Sequence, residues 1–369
     1  MFATAFWATN VNSQPWTQLT TVPTTNGLLS LHFLDDNKGY VVGTNGTILK
    51  TTDSGANWIT LISGTTQNLY STFFNDNQKG WAVGDNNTIL KTTNGGANWS
   101  TVSVPSGVSA HFRCVWFFNA NIGFITGGMT FTSSTIIKTT DGGVTWTNFS
   151  PSGSCAGPDY GVYGIFFTDA NTGYASDFDG RMLKTTNGGA TWVCTLISAN
   201  DNLHGIYFLD ANIGYVVGGN TSTNTGKIFK TIDAGSSWTN VTPFPVNSFL
   251  TDIKFFGNTG FATGGNPSAN TNGVIYKTTH DSSTPNSNIW TPEIISPTIV
   301  PRQYRLFLPC SHAGFSCGIG GSVLKVNGIN ENCCDDFHNT YDNTNFTVQS
   351  APPYTYNFFE PAGFIPGDI

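Results

Sequence analysis

The stretch Lys138-Thr139-Thr140-Asp141-Gly142-Gly143-Val144-Thr145-Trp146 recurs as Lys50 to Trp58, Lys91 to Trp99, Lys184 to Trp192 and Lys230 to Trp238. A swollen copy runs from Lys277 to Trp290. Each copy reads as the end of one strand, a tight Asp/Asn-Gly turn and a second strand opening on Trp. Asp-Gly and Asn-Gly supply the positive φ that such turns need. Upstream of each copy lies a second recurring pattern, typified by Phe33-Leu34-Asp35-Asp36-Asn37-Lys38-Gly39-Tyr40-Val41-Val42-Gly43 and a turn at Thr44-Asn45-Gly46. Its runs alternate apolar and polar residues, which is strand periodicity. Four short strands per unit, at a period of roughly 41 to 52 residues, is the sequence signature of a β-propeller blade.

The count of units closes. Three-strand units begin near Leu31, Thr72, Val115, Ile165, Ile206, Ile253 and Leu306. Trp-led strands open at Trp16, Trp58, Trp99, Trp146, Trp192, Trp238 and Trp290. The last three-strand unit has no Trp strand after it, and the first Trp strand has no unit before it. The spacing therefore predicts an all-β, seven-bladed β-propeller with four-stranded blades, closed by the N-terminal strand completing the last blade. Closure removes the open sheet edge that a linear array would leave. The chain then divides into a signal-like segment or arm at 1–14, the propeller at 15–328, and a tail at 329–369 that carries Cys333-Cys334 and many aromatics.

The turn residues Asp53, Asn94, Asp141, Asn187 and Asp233 are expected to bond their own turn backbone. Trp58, Trp99, Trp146, Trp192 and Trp238 are expected to be buried between blades. Only 10% of residues are charged and the net charge is −7 with no basic run, so nucleic acid and anionic membrane surfaces are poor partners. The apolar start Met1 to Ala8 reads as the end of a secretory signal with cleavage near Ser13-Gln14. An ordered arm is the alternative. With the turn-rich, Asn/Thr-rich composition this gives a secreted or cell-surface expectation. In that setting the seven cysteines suggest disulfides. Cys310 with Cys317 and Cys114 with Cys155 are the candidate pairs, with Cys194 free and buried. Histidine spacing offers no metal site, and no cofactor is expected.

Loops on a rigid scaffold are where binding usually lives. Insertions at Met129 to Ser134, Asn220 to Gly226 and Asn266 to Gly273, and long connections into blades three, four and seven, all fall on the face carrying the second-strand turns. Blade four departs from the pattern with Ser176-Asp177-Phe178-Asp179-Gly180-Arg181. Asp177, Asp179 and Arg181, with Asp159 and Tyr160 in the preceding connection, form one candidate cluster. The four arginines Arg113, Arg181, Arg302 and Arg305 fall on or near this face, with Tyr304 among them. Clustered arginines clamp a carboxylate bidentately.

The Thr-Thr-Asp-Gly-Gly-x-Thr-Trp copies resemble the Asp-box repeats of sialidases and related glycosidases. Taken with the Gly-Tyr-x-Val-Gly and Ile-Leu-Lys strands, the chain looks more like the photosystem II assembly/stability factor propellers and their bacterial relatives. That resemblance implies a peptide-binding role, since those factors bind a membrane-protein precursor through an Arg-rich patch. A sialidase likeness would imply a Tyr–Glu pair. Of the three glutamates, Glu293, Glu331 and Glu360, only Glu293 lies in the ring, and its spacing from Tyr304 supports no pairing. The expectation is a non-enzymatic binding or assembly module with a protein or glycan partner on the loop-rich face. The alternatives are an Asp-box glycoside hydrolase and a structural subunit joined through 329–369.

Overall fold

A computed structural model describes residues 15–129, 133–151, 161–242, 246–267, 272–280, 289–293, 295–296, 300–309 and 313–327. The segments 1–14 and 329–369, with Cys155, Cys310, Asp159 and Tyr160, lie outside these residues. The described strands form seven sheets, each an antiparallel meander from an inner to an outer strand. Blades 1 to 6 have inner strands Leu28–Phe33, Leu69–Phe74, His111–Phe117, Val162–Phe167, Asn202–Phe208 and Phe249–Phe256. Blade 7 has Gln303–Phe307, Ala313–Gly318 and Val323–Asn327. Its fourth strand is Trp16–Gln18, with Thr17 opposite Lys325. The ring is thus closed by the N-terminal strand, as the count of units requires. One addition was not expected. Ile295–Ser296 pairs parallel along the outside of that strand, so the last sheet has five strands and its outer edge is covered.

The recurring residues explain why adjacent blades adhere. The aromatic after the second-strand glycine lies directly across the ladder from the lysine of the third strand, as in Tyr40 opposite Lys50 and Phe124 opposite Lys138. Every blade therefore holds a lysine amine over an aromatic face, at 5.3 Å for Lys230 over Tyr215 and 5.7 Å for Lys277 over Phe261. In blades 1 to 5 and in blade 7 the next blade's inner-strand Phe covers that same aromatic, while Phe261 of blade 6 meets Trp16 edge-on. Tyr40 stacks on Phe74 at 3.7 Å, Tyr174 on Phe208 at 4.0 Å and Phe315 on Phe33 at 4.0 Å across the ring closure. Each such Phe then meets its own blade's Trp edge-on, as Phe74 does Trp99 at 5.9 Å. Gly39 is needed because the Phe33 ring lies flat on it, and a Cβ there would come 2.5 Å from that ring.

The lysine also reaches the following blade. Lys50 Nζ donates to Gly95 O at 3.0 Å, Lys91 to Gly142 O at 2.9 Å, Lys138 to Gly188 O at 2.7 Å and Lys184 to Ala234 O at 2.7 Å. Lys325 closes the circle on Ser54 O at 3.0 Å. These acceptors are turn carbonyls, so each turn must be held rigid. Thr139 Oγ1 donates to Asp141 Oδ1 at 2.7 Å and accepts from Gly143 N–H at 2.8 Å. Asp141 accepts in turn from the Thr145 N–H at 2.9 Å. Asn94 and Asn187 accept the corresponding backbone bonds from Asn98 and Thr191, both at 2.9 Å.

Three expectations need correction. Cys114 and Cys317 are free thiols, so neither proposed bridge forms. Cys317 lies inside a strand of the last blade and is fully buried in its hydrophobic cluster, where burial raises its pKa. Cys194, expected to be free, is disulfide-bonded and only half-buried. The insertions in blades three and five are also not loose loops. They lengthen the hairpins, so that Gly123–Met129 pairs with Ser133–Thr139, and Gly214–Asn220 with Thr225–Thr231.

Two outcomes test this account. Trp16 is fully buried against Phe261, Leu306 and Leu324. Trp16→Ala is expected to cost about 3–5 kcal/mol in urea unfolding, and an unchanged midpoint would contradict closure by this strand. The turn carboxylates titrate in the acid range. Hydrogen bonds from Ser237 hold Asp233 below its ordinary value of 3.8, at about 2. Bonds from Thr145 and Asn57 likewise lower Asp141 and Asp53. A depressed carboxylate stabilises above its unfolded value and loses that contribution as pH falls through the folded one. The triple variant Asp53→Asn, Asp141→Asn, Asp233→Asn is therefore expected to lose less stability between about pH 5 and about pH 2 than the parent. Equal losses would show that these turns do not carry the acid sensitivity.

Candidate binding site at the mouth of the central channel

All seven inner strands share an irregularity that the repeat does not show. The pairing register shifts between Leu28 and Ser30, Leu69 and Ser71, Phe112 and Cys114, Val162 and Gly164, Leu203 and Ile206, Leu250 and Asp252, and Gln303 and Arg305. A β-bulge leaves a residue unpaired and re-aims its side chain. The residues released this way include Tyr70, Arg113, Tyr163, His204 and Tyr304, on four consecutive blades and the last. They lie at the end of the inner strands where the inter-blade connections enter, which is the loop-rich face.

These side chains touch one another around the channel. Arg113 lies 4.0 Å over the Tyr70 ring and 5.6 Å from that of Tyr163. Tyr163 meets the His204 ring at 4.2 Å, and His204 meets Phe249 edge-on at 4.9 Å. Arg302 lies 5.6 Å from the Phe249 ring and 5.0 Å from Tyr304. Six consecutive blades, from blade 2 to blade 7, thus build a belt of aromatic rings and cations. Gly265 makes room for Arg302, since a Cβ there would lie 2.8 Å from the Arg302 Cα. Burial, followed by repulsion from Arg302, Arg305 and Arg113, drives the His204 pKa well below its usual value and keeps it neutral.

Beneath the belt the channel is bridged. Arg305 Nη2 reaches from blade 7 to the Arg113 carbonyl of blade 3 at 3.5 Å, between blades that are not neighbours. Its Nη1 lies 3.7 Å from Asp252 Oδ1, which also takes Lys254 Nζ at 3.0 Å. The second Asp252 oxygen accepts from the Leu306 N–H at 2.9 Å. The belt is therefore the wall of a cup, and Arg305 with Asp252 crosses its base. On one side of the cup His111 Nδ1 pairs with Asp85 Oδ1 at 2.7 Å, and the Tyr70 hydroxyl donates to Asp85 Oδ2 at 3.2 Å.

Of the residues singled out in the sequence, Arg113, Arg302, Tyr304 and Arg305 come together here. Asp177 borders the cup but is fully buried, accepting from Ser134 Oγ at 3.0 Å and Asp179 N–H at 3.0 Å. Burial chiefly raises its pKa. Asp179 and Arg181 are half-buried in the same hairpin, and Asp159 and Tyr160 lie outside the described residues. What blade four contributes to the cup is Phe178, 5.3 Å from the Tyr163 ring and 6.1 Å from His204. Tyr70, Tyr163, His204, Phe249 and Asp252 were missed, because the inner strands were read as starting after the bulge. The bulge breaks the alternation by which a strand is recognised. Hollows on the outer rim, against Lys230, Asp233 and Ser237 and along Leu61 to Thr66, consist of outer-strand and turn residues and gather no comparable cluster.

Residues 8–63 and 58–194 match the family described as Photosynthesis system II assembly factor YCF48. Among solved structures, YCF48 bound to D1 peptide is 18% identical, with a TM-score of 0.64 over 86% of this chain and 98% of that one. YCF48 from Cyanidioschyzon merolae is 19% identical, with a TM-score of 0.65 over 86% of this chain and 100% of that one. An ancestral GH74 enzyme is 17% identical, with a TM-score of 0.65 over 84% of this chain but only 45% of its own length. At these identities the structural likenesses are likenesses of fold. No curated protein matches the chain.

Asp252→Ala would strand Arg305, Lys254 and the Leu306 N–H around a carboxylate that is 1% exposed. It is expected to lower stability by about 3 kcal/mol in urea unfolding. A change within about 0.5 kcal/mol, the range of ordinary surface substitutions, would contradict the bridge at the base of the cup.

Proposed function

Because this chain belongs to the photosystem II assembly factor YCF48 family, we propose that it is a non-enzymatic binding module that holds a segment of a partner polypeptide during assembly. The observation that carries the reading is the belt of Arg113, Arg302 and aromatic rings at the channel mouth, on the face where the connections between blades cluster. Aromatic rings and arginines are the side chains that dominate binding energy at protein interfaces. The family relative bound to D1 peptide shows that a propeller of this kind can take a peptide. The charge-poor, Asn/Thr-rich composition fits a secreted or surface-exposed setting, which is part of the same proposal.

The GH74 neighbour keeps a glycosidase as the competing reading. Glycoside hydrolysis needs two carboxylates flanking the scissile bond. Asp252 is taken up by Lys254, Arg305 and a backbone amide, and Asp177 by Ser134 and its own turn. This favours binding over hydrolysis.

A display selection of random peptides against the immobilised protein tests the proposal, alongside xyloglucan and other β-glucans assayed for reducing ends. The expected result is enrichment of peptides that cross-link to Tyr70, Tyr163 or Tyr304, with no sugar released. Release of reducing ends that is abolished by Asp177→Asn, with no peptide enriched, would overturn it.

A further inference from the structure

We infer that the aromatic tail of this chain docks on its own ring, seating the stretch Tyr354 to Glu360 on a collar of rings at the end of the channel opposite the cup. In six blades the inner-strand residue across the ladder from the second-strand aromatic carries a ring as well: His32, Phe73, Trp116, Phe166, Tyr207 and Phe307. Blade 6 has Lys254 at this position. The inner strand is the last of each sheet, with no strand inward of it, so these side chains edge the channel. They touch around it. His32 lies 4.9 Å from Phe307 and 4.7 Å from Phe73, and Phe166 lies 6.2 Å from Trp116 and 5.3 Å from Tyr207. Burial brings the His32 pKa down to about 4, so this part of the wall is uncharged at neutral pH. The other five rings are only half-buried. The Phe that follows each of the first five, such as Phe33 or Phe74, is buried between blades. Adhesion of the blades therefore does not use up the collar, which presents an apolar surface to water.

Charge and connectivity name the occupant. Where the collar meets the Arg305 bridge, Lys254 and Arg305 share the single carboxylate of Asp252, which leaves positive charge in excess. The segment 329–369 answers both features. It carries six of the chain's 22 acidic residues, none of its 15 lysines and arginines, and eight aromatic residues. Tyr354, Tyr356, Phe358 and Phe359 fall within one short stretch, and Glu360 follows directly. Segments that stay solvated are usually poor in aromatics. The last described strand also delivers the chain to the right place. Val323–Asn327 runs toward the Asp/Gly-turn end of the ring, where Asn327 pairs with Ala313. Lys325, Phe315 and Phe307 stand side by side in the ladder. The exit therefore lies two strand spacings, about 10 Å, from the collar. A tether that short gives an effective concentration on the order of mM, so a modest contact is enough to keep the segment seated. The Arg305 bridge separates this end of the channel from the cup, and the two surfaces can be occupied independently.

The test puts the photo-cross-linker p-benzoylphenylalanine in place of Phe166 in the full chain and maps its products by peptide mass spectrometry. Mixing isotope-labelled with unlabelled protein before irradiation separates links within one chain from links between two. The expected result is a link to residues 354–360 of the same chain. The triple variant Tyr356→Ser, Phe358→Ser, Phe359→Ser is expected to lower its yield about tenfold, and Glu360→Lys about threefold. Neither variant changes a residue of the ring. If the replacement at Phe166 unfolds the protein, the same probe in place of Phe73 repeats the measurement. The probe in place of Phe178 reports on the cup and is expected to give no link to 354–360. Links only between chains would assign the collar to a second copy and overturn intramolecular docking. No link to 354–360, equal linking from the Phe178 position, or a yield unchanged by the triple variant would overturn it as well.

Discussion

The ring depends on one contact repeated between neighbouring blades: a lysine over the aromatic of its own blade, donating to a turn carbonyl of the next. Each half positions the other. The ladder puts lysine and aromatic opposite each other, the next blade's Phe covers the ring, and the Asp or Asn turn presents the carbonyl. The contact is not free of cost. Burial lowers the pKa of Lys91, Lys138 and Lys325, and brings Lys230 down to about 8. Ring face and carbonyl offset that desolvation, and a cation on an aromatic face contributes about 0.5–2 kcal/mol depending on its exposure. Charged residues are scarce in this chain, and eleven of its fifteen lysines and arginines serve as these spacers or sit at the channel mouth.

This contact lies in the half of each blade next to the Asp/Gly turns, while apolar side chains such as Val42, Ile48 and Leu69 join the blades in the other half. The opposite ends of the inner strands carry no such contact. They can be bulged, and the bulges turn Tyr70, Arg113, Tyr163, His204 and Tyr304 toward one another. A rigid ring then holds the cup without help from loops. The exceptions are Arg302, just before the strand Gln303–Phe307, and Phe178, from the hairpin turn of blade four, a turn that buried Asp177 fixes through Ser134 and Asp179. Asp177 thus acts on the site by holding Phe178 rather than by touching a ligand.

Much of the fold was legible in the sequence because its determinants are local and repeated. Gly-aromatic, Lys-Thr and Asp-Gly-Gly recur at fixed offsets, and counting them gave the blades and their closure. The strand at Ile295–Ser296 was not legible, since two residues paired across distant chain positions leave no periodic trace. The site was half legible. Scarce arginines could be noticed, and three of the four, Arg113, Arg302 and Arg305, meet at the cup. Their aromatic partners could not be, because Tyr and Phe are abundant and a bulge erases the alternation around them. Cysteine pairing failed for a related reason. Proximity of Cys310 to Cys317 along a hairpin says nothing about which face of the sheet each occupies, and Cys317 faces the core.

The most direct measurement is a double-mutant cycle on Lys138 and Phe124, whose amine-to-ring distance is 5.5 Å. Lys138→Met, Phe124→Leu and the double variant would be unfolded in urea. The account predicts that each single change destabilises the ring and that the two are coupled by about 1 kcal/mol. Strictly additive losses would mean that the lysine and the aromatic act separately, and would contradict the lysine-on-aromatic contact.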